Sequence, residues 1–170
     1  SSNTMNNPVS AAEALVPEPV IVNRVATSGL ITLNLEDLRP AVPVTGLDIK
    51  DQLFMGLVLR EKDFRAFVQA CDWTQYAGQA VALHCSADAI VPTWAYMLLA
   101  SRLAGVAHCV AFAQPEVLAE RLFLEALAAH DWTQYTGQRV VLKGCGEVPP
   151  SLYVEATRRL TPVVRTLMFG

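Results

Sequence analysis

At 170 residues the chain has the length of one ordinary domain, with room for a sizeable core. Its hydrophobic content of 52% and mean hydropathy of +0.31 point to extensive burial or an oligomeric interface, yet no apolar run approaches the roughly 20 residues of a membrane-spanning helix. A net charge of −3 gives no electrostatic reason to expect nucleic acid, and four cysteines with no CxxC pair match neither a zinc finger nor a disulfide framework.

The N-terminus lacks a basic region followed by an apolar one, so no signal peptide is expected, and reduced thiols in a cytoplasm are. Residues 1–19, rich in Ser, Asn, Ala and Pro, predict a disordered tail, with Met5 a possible native start. Residues 20–25 suit a first strand or extended arm, and residues 30–35 alternate as a strand does. Residues 36–40 read as a turn, with Arg39 extended because it precedes Pro40. Leu47-Asp-Ile-Lys predicts a strand, while residues 51–59 fit a helical turn or a strand equally, Gly56 weighing against a helix. Residues 61–71 predict a helix with Phe64, Phe67, Val68 and Cys71 on one face.

From there the alternation is regular. Strands are predicted at 80–85, 107–112, 139–144 and 163–169, and helices at 92–103, 115–130 and 150–160. The fold class is therefore α/β: a mostly parallel sheet covered by helices, with antiparallel N-terminal edge strands. Residues 20–170 form a single domain.

An internal duplication is legible. Asp72-Trp-Thr-Gln-Tyr-Ala-Gly-Gln recurs as Asp131-Trp-Thr-Gln-Tyr-Thr-Gly-Gln, identical at seven of eight positions. At the same offset Val81 and Leu83 match Val140 and Leu142. With a two-residue gap, Pro92, Tyr96, Arg102, Leu103 and Phe112 match Pro149, Tyr153, Arg159, Leu160 and Phe169. The related halves run over about 61–112 and 116–169. In each connector Asp caps or turns, Trp and Tyr pack under a sheet edge, and Gly78 or Gly137 makes the turn into the next strand.

Chemistry concentrates at the joint 85–92, where a strand hands over to a helix. Ligands of alternating folds bind beyond such strand ends. Cys85 sits there, Ser86 and Asp88 suit turns and caps, and Pro92 suits the first helical turn. A cysteine that ends a buried strand is more often simply a small core hydrophobe. Its counterpart is Cys145, in Lys143-Gly-Cys-Gly-Glu. If both halves share one sheet, the two cysteines lie at the same carboxyl edge. Cys85 and Cys145, with Asp88 or His84, could contribute to a zinc or iron–sulfur site, but two thiolates fall short of the four ligands of a closed zinc site. His84-Cys85 and His108-Cys109 cannot each hold one metal, because strand neighbours face opposite ways. No base sits beside a thiol in a recognisable triad, and no phosphate-cradling loop is present. Arg158 and Arg159 read as a solvated helix face or a carboxylate partner.

Ile21-Val-Asn-Arg-Val, Leu30-Ile-Thr-Leu-Asn-Leu-Glu-Asp, Glu61-Lys-Asp-Phe-Arg-Ala-Phe, Lys143-Gly-Cys, Arg158-Arg-Leu-Thr-Pro-Val-Val and above all Cys85-Ser-Ala-Asp-Ala-Ile-Val-Pro-Thr-Trp-Ala-Tyr carry a resemblance. The chain resembles a bacterial family of unknown function, domain-of-unknown-function family 2480, over nearly everything after residue 20. The resemblance implies an association with sulfur-mobilising iron–sulfur assembly. It also implies members that continue past Met168-Phe-Gly into a short tail with another cysteine, a source for a third thiol. The combined expectation is an accessory factor of iron–sulfur cluster or thiol metabolism, not an enzyme, that uses Cys85 and Cys145, with Ser86 and Asp88 shaping the site. Its partners would be iron–sulfur assembly proteins and a second copy of the chain. The rival is a non-catalytic interaction or scaffold module with structural cysteines; a cysteine-dependent enzyme is a third reading.

Overall fold

The structure is a computed structural model that describes residues 23–25, 29–144 and 146–170. The tail expected at 1–19 therefore lies outside the described residues, as do residues 20–22 of the expected first strand. In chain order, β1 (Asn23–Val25) and β2 (Leu30–Asn34) are followed by a 3-10 turn at Leu35–Leu38. Then come β3 (Val44–Asp48), a 3-10 turn at Ile49–Gln52, α1 (Glu61–Ala70), a 3-10 turn at Trp73–Tyr76 and β4 (Ala80–His84). The chain continues through α2 (Thr93–Leu103), β5 (Cys109–Phe112), α3 (Pro115–Ala129) and a 3-10 turn at Trp132–Tyr135. It ends with β6 (Arg139–Lys143), α4 (Pro150–Leu160) and β7 (Thr166–Phe169). The ambiguous stretch 51–59 ends the 3-10 turn at Gln52 and beyond it is neither helix nor strand. Met55 and Gly56 both take positive φ, and the chain folds back so that Phe54 bridges Val58. This leaves Phe54, Met55, Leu57 and Val58 exposed together.

The strands form two sheets, which corrects the expectation of one. In one, β3, β4 and β5 lie side by side and parallel; in the other, β2, β6 and β7 are parallel and β1 runs antiparallel along β2. Each set of strands has its own pair of helices to bury it. Stepping from strand to strand in one direction through right-handed crossovers puts both helices on the same face. Thus Phe64 and Val68 of α1 and Ala95, Leu99 and Leu103 of α2 pack together on Leu47, Val81 and Leu83. In the other sheet Phe123 and Leu127 of α3 and Leu152, Ala156 and Leu160 of α4 pack on Ile31, Leu33, Val140 and Leu142.

The helix α3 serves both sheets. Its Leu118 is buried on Ala80 and Ala82, the opposite face of the three-stranded sheet, with Leu122, Cys109 and Ala111 packed alongside. Small side chains keep this face flat enough for a helix to lie on it. Gly46 shows how close: a Cβ there would sit 2.8 Å from Pro115 Cγ and 2.9 Å from His84 Nε2.

The two connectors fold alike. Asp72 accepts from the Thr74 backbone N–H at 3.0 Å, and Asp131 from that of Thr133 at 3.0 Å. Trp73 and Trp132 donate their indole N–H back to the carbonyls of Val68 and Leu127. Gly78 and Gly137 take φ of 71° and 70°, and their N–H groups reach Val106 and Val163, just ahead of the last strand of each sheet. Each connector ends in the central strand of a different sheet, and the whole segment 44–112 lies between β2 and α3.

Candidate thiol site

The joint 85–92 leaves β4 in the middle of the three-stranded sheet, at its carboxyl end. Alternation splits the neighbours His84 and Cys85 as expected. His84 turns to the α3 side, against Gly46 and Pro115, whereas Cys85 packs with the cluster beneath α1 and α2. The His84 Nδ1 atom is buried with no hydrogen-bond partner among the described residues.

The joint is held from the adjacent strand. Asp48, the last residue of β3, accepts the Ser86 backbone N–H at 3.0 Å and the Ser86 hydroxyl at 2.5 Å, and also the Lys50 backbone N–H at 2.9 Å. Desolvation pushes the Asp48 carboxyl up, but the Ser86 hydroxyl, the Lys50 and Ser86 backbone N–H groups and the charge on His84 together outweigh it and hold it below the usual range. Asp48 thus caps its own 3-10 turn and pins the neighbouring loop with one carboxylate.

Of the turn and cap roles open to Ser86 and Asp88, the structure uses the turn, and no side chain of the joint caps α2. Ser86 does not cap α2, because its hydroxyl is committed to Asp48. Asp88 is exposed, and α2 begins with Pro92 as its N-cap and no side-chain cap. Cys85 lies eight residues before Thr93, and its thiol donates to the Ala87 carbonyl at 3.6 Å, inside the loop.

Cys85 opens on a cleft of about 310 Å³ lined also by His84, Ala87, Tyr96, Phe112 and Gln114. A second, apolar hollow of about 470 Å³ adjoins it through Leu83, Tyr96 and Phe112 and runs along α2 and β5 past Met97, Ala100 and Val110. Tyr96 stands at the junction, its ring edge-on to Phe112 at 4.9 Å. Burial pushes its phenol up, and the nearby Cys85 and Asp48 push it further. Sequence reasoning passed over Asp48 and Tyr96, reading Asp48 as a strand residue and Tyr96 as the match of Tyr153. The signal for Asp48 was its match to Asn34, which likewise ends a strand and accepts a backbone N–H two residues on.

Cys145 lies outside the described residues. The geometry proposed for the pair nonetheless changes, because β4 and β6, the strands that lead to the two cysteines, belong to different sheets and share no carboxyl edge. Among the described residues no three His, Cys, Asp or Glu side chains gather as metal ligands. The described residues therefore do not fit a zinc ion or an iron–sulfur cluster, which needs more ligands than Cys85 provides. Cys109 is a packed residue on the α3 side, its thiol pushed up by burial and by Glu125. Arg158 and Arg159 fork onto one carboxylate, Glu155, which their hydrogen bonds pull down to about 2.

A family model described as "Protein of unknown function (DUF2480)" matches residues 19–170. The chain belongs to that DUF2480 family. No curated protein and no solved structure matches it. The stretch Cys85 to Tyr96, on which the resemblance mainly rested, spans the joint, part of the cleft wall and the start of α2. No described helix is long and apolar enough to cross a membrane.

Proposed function

We propose that this DUF2480 protein is an accessory factor of iron–sulfur or thiol metabolism whose working group is the Cys85 thiol. The observation that supports this is the placement of Cys85 at the mouth of a 310 Å³ cleft beyond the carboxyl ends of β4 and β5, where alternating folds bind ligands. Tyr96 and Gln114 supply polar atoms beside the thiol, and Asp48 fixes the loop that carries it. The chemistry that suits one thiol in such a cleft is sulfur acceptance. The Cys85 thiolate attacks the outer sulfur of a persulfide, the donor S–S bond breaks, and the donor leaves as a thiolate. Ser86 shapes the loop; Asp88, exposed beside it, is free to meet a partner such as an iron–sulfur assembly protein. The repeated element order supports reading the two units as duplicated halves, with Cys145 as the thiol of the second.

The test is transfer from a small-molecule persulfide under anaerobic conditions, with sulfur loading located by peptide mass spectrometry. Loading is expected on Cys85, lost in Cys85→Ser and kept in Cys71→Ser and Cys109→Ser. A folded wild-type protein that loads no faster at Cys85 than at Cys71 would sink the reading. The alternative, a non-catalytic interaction module, is favoured by a separate observation: the apolar turn at Phe54, Met55, Leu57 and Val58 is exposed.

A further inference from the structure

β5 lies at an edge of its sheet and ends in the exposed Phe112. No described strand pairs with its outer side. Edge strands usually carry Lys, Pro or a bulge that blocks further pairing, and Cys109-Val-Ala-Phe carries none. The helix beside it is equally unguarded. Residues 89–101 contain no Asp, Glu, Lys or Arg, and neither do residues 109–114. Two large side chains that line this surface are exposed, Phe112 71% and Met97 66%, and Ile90, in the loop leading to α2, is 93% exposed. Thr93, Met97 and Ala100 fall on one face of α2 and line the 470 Å³ hollow that runs beside the strand.

The second sheet provides an internal comparison. There α4 and β7 occupy the positions of α2 and β5. Yet α4 carries Glu155, Arg158 and Arg159, joined in an ion-pair fork, and Arg165 precedes β7. Both positions expose apolar side chains, Val154 and Phe169 in one unit and Met97 and Phe112 in the other, but only the first sets a charged fork among them; α2 carries Arg102 alone, in its last turn.

The geometry points to a second copy of this chain as the occupant: two β5 strands pair antiparallel about a two-fold axis, joining two three-stranded sheets, with Met97 and Phe112 of each copy entering the hollow of the other. Charge argues for a copy over a charged partner. In a two-fold interface each charge near the axis meets its own duplicate, and residues 89–101 and 109–114 bring none, the Glu125 that acts on Cys109 belonging to α3 on the other face of the sheet. Area argues the same way. Ile90, Met97 and Phe112 alone present on the order of 400 Å² per copy at roughly 200 Å² for a full side chain, and the hollow and strand edge bring the total near the roughly 1,200 Å² at which stable interfaces begin. Main-chain hydrogen bonds along the edge would set the register.

Sedimentation velocity over a micromolar concentration series tests this. The wild-type chain is expected to sediment as a dimer. Met97→Glu and Phe112→Glu, both at exposed positions, are expected to raise the dissociation constant about tenfold or more. Val154→Glu and Phe169→Glu, their counterparts in the other unit, are expected to leave it unchanged. Circular dichroism identifies any variant that fails to fold, and the other member of its pair then carries the result. A wild-type monomer at the highest concentration overturns the proposal. So does a dimer indifferent to both Met97→Glu and Phe112→Glu, or one broken equally by the counterparts.

Discussion

Gly46 is where three elements meet, and its lack of a side chain has a steric cause rather than a backbone one. Its hypothetical Cβ falls 2.8 Å from a ring carbon of Pro115, at the start of α3, and 2.9 Å from the His84 ring. A proline ring cannot swing away, so Gly46→Ala must lift α3 or shift β3. A cost of about 1–3 kcal/mol is expected, as for other overpacked sites, measured by urea denaturation. At the other connector, His130 stacks edge-on against Trp132 at 4.9 Å and its Nε2 lies 2.8 Å from the Tyr135 hydroxyl. Burial lowers the His130 pKa, with Asp131 opposing, and burial pushes Tyr135 up to about 12. With Nε2 unprotonated, the neutral imidazole accepts the Tyr135 hydroxyl on its one lone pair; protonation removes that acceptor. The folded pKa lies below the unfolded value of about 6.5, so the unfolded chain takes up its proton first. Stability contributed by His130 is thus complete above about 6.5 and is lost as pH falls through the lowered folded value. Thermal melts should decline over that interval in the wild type and flatten in His130→Gln; equal declines would remove His130 as the cause.

Among the elements, the connectors were the most legible part of the chain. Asp, Trp, Tyr and Gly each have a local job: cap, indole donor, packed ring, positive-φ turn. A local job leaves a local mark on sequence. Gly78 and Gly137 have φ of 71° and 70°, and a Cβ at either would meet nothing within 4 Å. Strain alone should therefore govern Gly78→Ala and Gly137→Ala, at about 1–2 kcal/mol each and nearly equal, read from denaturation midpoints. A much larger loss at one would mean that its surroundings, not its backbone, set the cost. The helices and strands were also legible, since Phe64 and Val68 or Val81 and Leu83 repeat at the spacing of their element. The stretch 51–59 was not, because its apolar residues follow neither period and serve an exposed turn. Nor was the role of Asp48. Its partner Ser86 is 38 residues away, and only the pairing of β3 with β4 brings them together.

For the whole molecule, the number of sheets was the feature that the sequence concealed. Strand–helix alternation specifies that strands run parallel, but not which strands are neighbours, and pairing is decided by contacts across the full chain. Two small sheets result, bridged by α3, whose Leu118 serves one and whose Phe123 and Leu127 serve the other. Damage at either end of that helix should be felt by both. The nested order also has a consequence for how the chain reaches its native state. Strands β3, β4 and β5 and the helices between them are contiguous, so 44–112 can close its core from contacts near in sequence. Leu30 of β2, by contrast, pairs with Arg139, 109 residues later. During synthesis β2 must wait, its edge unpaired, until the entire inserted unit and α3 have emerged. Contacts of such long range are slow to form, and the early-folding insert shortens the loop that must be closed by condensing most of it into a compact body. The inner unit thus acts as the template on which the outer one is assembled.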